Sequence, residues 1–485
     1  MSEKMLIFEK SQPGRRCTTF PASDEPNIPA SLKRKSAPVL PEVSELELVR
    51  HYVSLSHLNF SIDTNFYPLG SCSMKYNPKV HEKAARVPEI AGMHPMEPQN
   101  QHTLRMIWEM EQTLKAVTGM DTFTFQPAAG AQGEFVGISL IAAHHRANGN
   151  EKKVVLVPDS AHGTNPATAA MCGYDVVELK STEDGTVDVD DLKAKMNDEV
   201  AGLMLTNPNT FGVFENEILE ISDIVHAGGG LLYYDGANMN AFLGQCQPGA
   251  MGFDVVHINL HKTFTTPHGG GGPGSGPVGV KDMLKPYLPT PLVVQEGESF
   301  CLDFDLPESI GKVSTFWGNF GMVVRAYVYS KMLGAEGMRQ TSEMAVLNAN
   351  YIVHKLEDAY DRPKKAQPMH EGVLSASRQK KESGVGALDI AKRLIDYGIH
   401  PPTIYFPLPK VCPEALLIEP TETESLEQLD TFIDTMRKIA KEAHANPDLL
   451  KEAPHDTPVR RLDEATAARK PVLRWTEPSS GSAVD

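Results

Sequence analysis

Two short stretches decide the fold: "GLLYYDGAN", Gly230 to Asn238, and "FDVVHINLHK", Phe253 to Lys262. Each is apolar at nearly every position and then ends on ionisable residues, Asp235 in the first and His261–Lys262 in the second. A strand that is apolar throughout, rather than at alternate positions, is covered on both faces, as in a parallel sheet between helices. The same unit repeats upstream. "KKVVLVPDS", "YDVVEL" and "AGLMLTNP" read as strands, and "NPATAAMCG", "VDVDDLKAKM" and "EILEISDIVHAGG" as the helices between them.

Further out, "QNQHTLRMIWEMEQTLKAVTG" has Leu104, Ile107, Trp108, Leu114 and Val117 at helical spacing and ends at Gly119. "GAQGEFVGISLIAAHHRANG" opens a second helix on glycines. These elements form an α/β domain, a large and mostly parallel sheet, over residues 66–330. A smaller C-terminal α+β domain follows over 331–460. It begins in a long helical stretch broken near Gly334–Gly337, continues through the strands "GVLSAS", "TIYFPL" and "EALLIEP", and includes an amphipathic helix starting near Thr423 with Glu427. Residues 1–65 are polar and proline-rich, an arm with one helix near Ser44 to Ser54; residues 461–485 are an extended tail.

Composition narrows the function. The 485 residues carry 46 basic and 62 acidic side chains, a net charge of −16, which excludes a broad nucleic-acid footprint. No apolar run reaches the roughly 20 residues of a bilayer span. The first residues lack the apolar core of a secretory signal. Six scattered cysteines without a CxxC pair indicate free thiols in a reducing, cytoplasmic setting.

Ligands of open α/β sheets bind beyond the carboxyl ends of the strands. Four consecutive strand ends here carry polar groups: His162 and Thr164, Asn209 and Thr210, Asp235, then His261 and Lys262. Lys262 precedes six glycines in the eight residues from Gly269 to Gly276. A P-loop needs the opposite order, glycines first and then a helix, so Lys262 is not a nucleotide clamp. A lysine amine can instead form a Schiff base with an aldehyde, as in enzymes that hold pyridoxal 5'-phosphate (PLP). Such a site needs an acid beside the pyridine nitrogen, a flat group over the ring and a helix start for the phosphate. Asp235, His162 and the turn Ala128 to Glu134 are the candidates. Taken singly, Asp235 reads equally well as a turn residue and His162 better as a hydrogen-bonded loop residue; the ordered set carries the argument.

The stretches "LIFEKSQPGRR", "FYPLGSCSMKYNP", "QPAAGAQGE", "DSAHGTNPA", "NPNTFGVFE", "YYDGANMNA", "NLHKTFTTPHGGGGPGSGP" and "ALLIEPTETES" closely resemble the P-protein family of the glycine cleavage system, in the half of its two-subunit form that bears the cofactor lysine. The resemblance spans nearly the whole chain. It implies the aspartate-aminotransferase type of fold (fold type I), with PLP covalent on Lys262, Asp235 as pyridinium partner and His162 stacked on the ring. Gly130 and Ala131 fall in the phosphate turn beside Ala129. Asn209 and His261 are implied as pocket residues, and Lys262, His261 or His162 as the group that moves protons. Relatives carry serine or asparagine near Ala129, so a side-chain role there is in doubt.

The implied reaction is decarboxylation of glycine, with the aminomethyl group passed to the lipoyl disulfide of the H-protein; reduction of that disulfide makes the enzyme a dehydrogenase. The implied partners are a companion subunit 1, in a two-plus-two heterotetramer, and the lipoylated H-protein. The competing reading is another PLP-dependent amino-acid decarboxylase or lyase without a lipoyl partner. A non-catalytic partner subunit would lack Lys262. "SCSMKYNP", Ser71 to Pro78, is either a wall of the pocket or an interface segment, and the run Gly269–Gly272 passes close to the cofactor or bends to admit a long arm.

Overall fold

Seven strands make the central sheet of the computed structural model: β1 (Thr122–Thr124), β2 (Val154–Pro158), β3 (Asp175–Leu179), β4 (Val200–Thr206), β5 (Leu231–Gly236), β6 (Val255–Ile258) and β7 (Val278–Val280). Their order is β1-β7-β6-β5-β4-β2-β3. The run from β3 to β6 is parallel, while β7 is antiparallel to both β6 and β1. The sheet is therefore mixed and mostly parallel, as the sequence implies. The structure describes residues 6–19, 28–36, 38–269, 274–406, 410 and 412–474.

The continuous apolar pattern of β5 and β6 has a direct physical cause. Leu231, Tyr233 and Val255 face one layer, where they pack with Val136, Leu140 and Ile141 of the helix Gly130–Ala147. Leu232, Tyr234, Val256 and Ile258 face the other, against Leu104, Ile107 and Leu114 of the helix Gln101–Thr118 and Ile221 and Val225 of the helix Ile218–Ala227. Alternate residues of one strand thus enter two separate cores, so no position is left for water.

The helix Gly130–Ala147 lies unusually close to the sheet because its inner face is glycine. A Cβ at Gly137 would stand 2.4 Å from Tyr233 Cε2, and one at Gly133 would stand 3.2 Å from His257 Cβ. The helix Gln101–Thr118 ends as expected on left-handed Gly119, φ 71°.

A hairpin of β8 (Leu292–Glu296) and β9 (Ser299–Asp303) precedes the long helix Phe320–Leu356, which bends at Gly334, φ 62° and ψ −175°, within the expected break. Beyond it, β10 (Gly372–Ser375), β12 (Ala415–Ile418) and β11 (Thr403–Ile404) pair antiparallel in that order. Their core packs against Ile352 and Leu356 of the long helix and Phe432, Met436 and Ile439 of the helix Leu426–Ala445; Phe66 joins it from the N-terminal side. Two local expectations change. The helix Leu426–Ala445 is capped by Ser425, whose hydroxyl accepts the Gln428 N–H, because Thr423 Oγ1 is occupied with Thr421 and the Tyr76 N–H. The strand read in "TIYFPL" stops at Ile404 because Tyr405 is left-handed, φ 57°.

Among the described residues no helix is long and apolar enough to cross a membrane. All six cysteines are free. Gly137→Ala should destabilise the chain by about 1–3 kcal/mol, the usual cost of overpacking a filled core. Urea midpoints of the two proteins check this, and an unchanged midpoint would contradict the close packing of helix on sheet.

Candidate active site

The register of β5 with β6 sets Asp235 directly beside His257. Both belong to the sheet face that carries Tyr233, and both are buried. The Tyr233 hydroxyl lies 2.5 Å from His257 Nδ1, and His257 Nε2 lies 3.5 Å from Asp235 Oδ1. With the tyrosine donating to Nδ1, the imidazole is neutral, and its Nε2 lies beside the carboxylate without hydrogen-bonding to it. Burial lowers the His257 pKa and favours that neutral form. Asp235 Oδ1 also accepts the Ala237 N–H at 3.1 Å.

A second carboxylate stands nearby. Glu134, in the first turns of the helix Gly130–Ala147, accepts hydrogen bonds from Thr164 Oγ1 at 2.8 Å and Thr168 Oγ1 at 3.2 Å. The Asn165 amide, turned so that its nitrogen faces the acids, donates to Asp235 Oδ2 at 3.1 Å and Glu134 Oε2 at 3.2 Å. Burial, then the charge of Asp235, pushes the Glu134 carboxyl above its ordinary range. The two acids are thus held apart and bridged by one neutral amide.

Asp235, Lys262, His162, Gly130 and Ala131 share a cavity of about 200 Å³. Lys262 stands just beyond β6, in a turn whose Thr265, φ 52°, is held by Asn77 Nδ2 at 2.9 Å from its carbonyl. Ala129 caps the helix Gly130–Ala147 with no side-chain oxygen, which leaves the first-turn N–H groups without a side-chain acceptor. A Cβ at Gly130 would meet Asn259 Oδ1 at 2.7 Å, so only glycine lets the helix start approach this strand end. His162 contacts Thr164 Oγ1 through Nδ1 at 2.9 Å, and its ring meets Phe406 edge-on at 5.5 Å.

Three expected residues stand outside the cavity lining: Ala129, which caps the helix just before Gly130, and Asn209 and His261, whose side chains are engaged elsewhere. Asn209 donates to the Gly185 carbonyl at 2.6 Å and accepts from the Phe211 and Val213 N–H groups, so it fixes its own loop, while its neighbours Pro208 and Thr210 line the cavity. His261 faces His268, ring centroids 5.2 Å apart, and accepts the Ser275 N–H at 3.4 Å. Burial, His268 and Lys262 push its pKa down to about 3. Residues 270–273 of the glycine run lie outside the described residues. The lining also includes Ser71 and Glu134, at the edges of the stretches Ser71–Pro78 and Ala128–Glu134 singled out in the sequence, and Thr206, Asn238, His257, His370 and Glu371, which the sequence does not single out.

A larger open groove, about 1280 Å³, contains none of the expected residues, and its ion pair, Glu109 with Lys331 at 2.7 Å, is already satisfied. Chemistry rather than size identifies the site.

The smaller cavity fits PLP. It offers a lysine amine, an acid one strand away and an open helix N-terminus for phosphate. Among the described residues, several buried polar atoms of its lining have no hydrogen-bond partner, Thr206 Oγ1 and Asn259 Oδ1 among them. Sheet order and site together define a PLP-dependent enzyme of fold type I. Residues 121–272 match the class-V aminotransferase family, and residues 341–456 match the glycine dehydrogenase C-terminal domain. A glycine decarboxylase (P-protein) of the glycine cleavage system, solved with an inhibitor, superposes with a TM-score of 0.73 at 18% identity over 85% of this chain and 93% of its own. Glutamate decarboxylase of Lactobacillus brevis superposes at 0.66, with 12% identity over 85% of this chain and 96% of its own.

The chain is 56% identical to the "probable glycine dehydrogenase (decarboxylating) subunit 2" of Listeria innocua, over 97% of this chain and 98% of that one. It is 55% identical to the protein of the same description in Pyrococcus abyssi, over 98% and 96%. The chain belongs to the family of glycine dehydrogenase (decarboxylating) subunit 2.

Gly130→Ala should weaken PLP binding about tenfold or more by pushing the helix start off Asn259, a loss of one or two hydrogen bonds to a charged group. Spectroscopic titration of the apoprotein with PLP measures it. Unchanged affinity would contradict a phosphate site at this turn.

Proposed function

We propose that this chain binds PLP through Lys262, decarboxylates glycine and delivers the aminomethyl group to the lipoyl disulfide of an H-protein. It does so as the cofactor-bearing half of a two-plus-two assembly with a companion subunit 1. The observation that carries this reading is the single cavity shared by Lys262, Asp235, His162 and the open helix start at Gly130–Ala131. Bound there, PLP supplies an electron sink for the pair left on the substrate carbon when CO2 departs.

The residues of the chain do the rest. Asp235, held by the Ala237 N–H and the Asn165 amide beside His257, would keep a proton on the pyridine nitrogen of a bound cofactor. Backbone N–H groups at Gly130 and Ala131 would hold its phosphate. His162 would cover its ring. The Lys262 amine, with substrate bound, would be free to carry a proton at Nζ. His162 shares that duty better than His261, whose ring faces His268 rather than the cavity. The six free thiols accord with a cytoplasmic location.

Borohydride reduction of the PLP-loaded chain should fix a pyridoxyl group on Lys262, located by peptide mass, and Lys262→Ala should lack it. Glycine–bicarbonate exchange should require the companion subunit and be stimulated by H-protein. Exchange or amine release that ignores H-protein altogether would favour a decarboxylase or lyase without a lipoyl partner.

A further inference from the structure

A second ionisable cluster reaches the same cavity from the C-terminal lobe. The antiparallel register of β10 and β12 pairs Gly372 with Ile418, which brings the flanking residues Glu371 and Glu419 side by side. His370 stands next to them; its Nε2 is 4.0 Å from Glu371 Oε1. All three are buried, and His370 and Glu371 line the cavity that contains Lys262.

The two carboxyls differ in their support. Glu419 accepts the Ser73 N–H at 2.9 Å, the Ser73 hydroxyl at 2.5 Å, and the Asn238 and Asn240 amides at 2.8 and 2.9 Å. Four donors thus converge on Glu419. Glu371 accepts the Ser71 N–H at 2.6 Å and, more loosely, the Ser71 hydroxyl at 3.3 Å. Burial and then the charge of Glu419 raise its pKa, so the proton of the pair rests on Glu371. Burial lowers the pKa of His370, so its imidazole is neutral.

Among the described residues, neither ring nitrogen of His370 has a hydrogen-bond partner, although the residue is only 2% exposed. A buried imidazole with both nitrogens unpaired is costly unless a ligand completes it. Among the described residues lining the cavity, Lys262 is the only lysine or arginine. Among those lining residues, an amino acid whose amine engages the cofactor at that lysine finds no other lysine or arginine for its carboxylate.

We propose that His370 and Glu371 form the subsite that receives the substrate's carboxylate, as uncharged hydrogen-bond donors, with Ser71 and Glu419 as positioning groups. The proposal rests on the reading that an amino acid binds at Lys262. Its chemical sense lies in the difference between ground and transition state. A paired arginine would stabilise the carboxylate more than the departing CO2 and slow the step, whereas neutral donors hold it in place and give up less as its charge drains away. The C–C bond breaks, its electron pair stays on the carbon, CO2 leaves uncharged and Glu371 keeps its proton. The stretch Ser71–Ser73, both serines left-handed at φ 63° and 50°, becomes the support of this wall.

Glycine and methylamine test it, because they share an amine and differ in the carboxylate. Each is titrated into the full chain, loaded with PLP and assembled with its companion subunit, and binding is read from the cofactor absorbance. Glu371→Ala and His370→Ala should raise the glycine Kd about tenfold or more and change the methylamine Kd by less than about twofold.

The pH dependence has a definite sign. Glu371 must be protonated to donate, so the preference for glycine over methylamine should hold at low pH and fall as pH rises above neutrality. The groups facing Glu371 are Glu419, His370, Lys262 and Cys72, and Glu419 dominates its charge environment. Glu371→Gln, a permanent neutral donor, should keep the preference and remove the alkaline decline. Alanine variants that hold PLP and bind glycine like the native chain would overturn the subsite while leaving the Lys262 reading intact. If the alanine variants lose PLP, an alkaline decline unchanged in Glu371→Gln would overturn it instead. A native chain without cofactor absorbance would overturn both readings.

Discussion

The parallel pairing of β5 with β6 is the contact on which the rest of the site depends. Its register sets Asp235 against His257, and the chain reaches Lys262 four residues after β6 ends. A shift of one residue would turn Asp235 to the opposite face of the sheet, into the core occupied by Tyr234 and Phe242. Packing prevents that shift. Tyr233 fits against Gly137, and Val255 against the same helix, so the apolar contacts that close the helix onto the sheet also fix which face the acid occupies. The glycines at 130, 133 and 137 then bring the helix start to the strand ends, where Gly130 and Ala131 line one cavity with the lysine and the acid.

Charge in the cavity is arranged in two separately supported clusters. Asp235 and Glu134 are spaced by Asn165 and backed by the Tyr233–His257 pair. Glu371 and Glu419 are spaced by the β10–β12 pairing and backed by serine and asparagine donors. In each cluster burial and a neighbouring anion raise one carboxyl. Lys262 is the only fixed positive charge among the described lining residues, a composition suited to chemistry in which negative charge must leave one atom and be accepted by another.

Much of this was legible in the residues. Asp235 and Lys262 end apolar strands, and strand ends are where open α/β sheets bind ligands. The helix start at Gly130 announced itself by glycine. The rest was hidden for identifiable reasons. His257 lies inside an apolar run, and only the parity shared with Tyr233 and the register with Asp235 reveal it. Asn165 and Glu134 act through a helix-to-helix bridge that local spacing does not encode. His370, Glu371 and Glu419 depend on an antiparallel pairing between segments far apart in the chain, Gly372–Ser375 with Ala415–Ile418. Asn209 and His261 stand at the right strand ends, but their side chains are taken up by backbone groups of the surrounding loops.

The central claim is that Asp235, held by the β5–β6 register, keeps the cofactor ring protonated. The nitrogen-15 NMR shift of ring-labelled PLP bound to the chain measures this directly. The account predicts a pyridinium signal that persists well above neutral pH in the native chain and is replaced by a neutral-ring signal in Asp235→Asn. A neutral-ring signal in the native chain at neutral pH would contradict it.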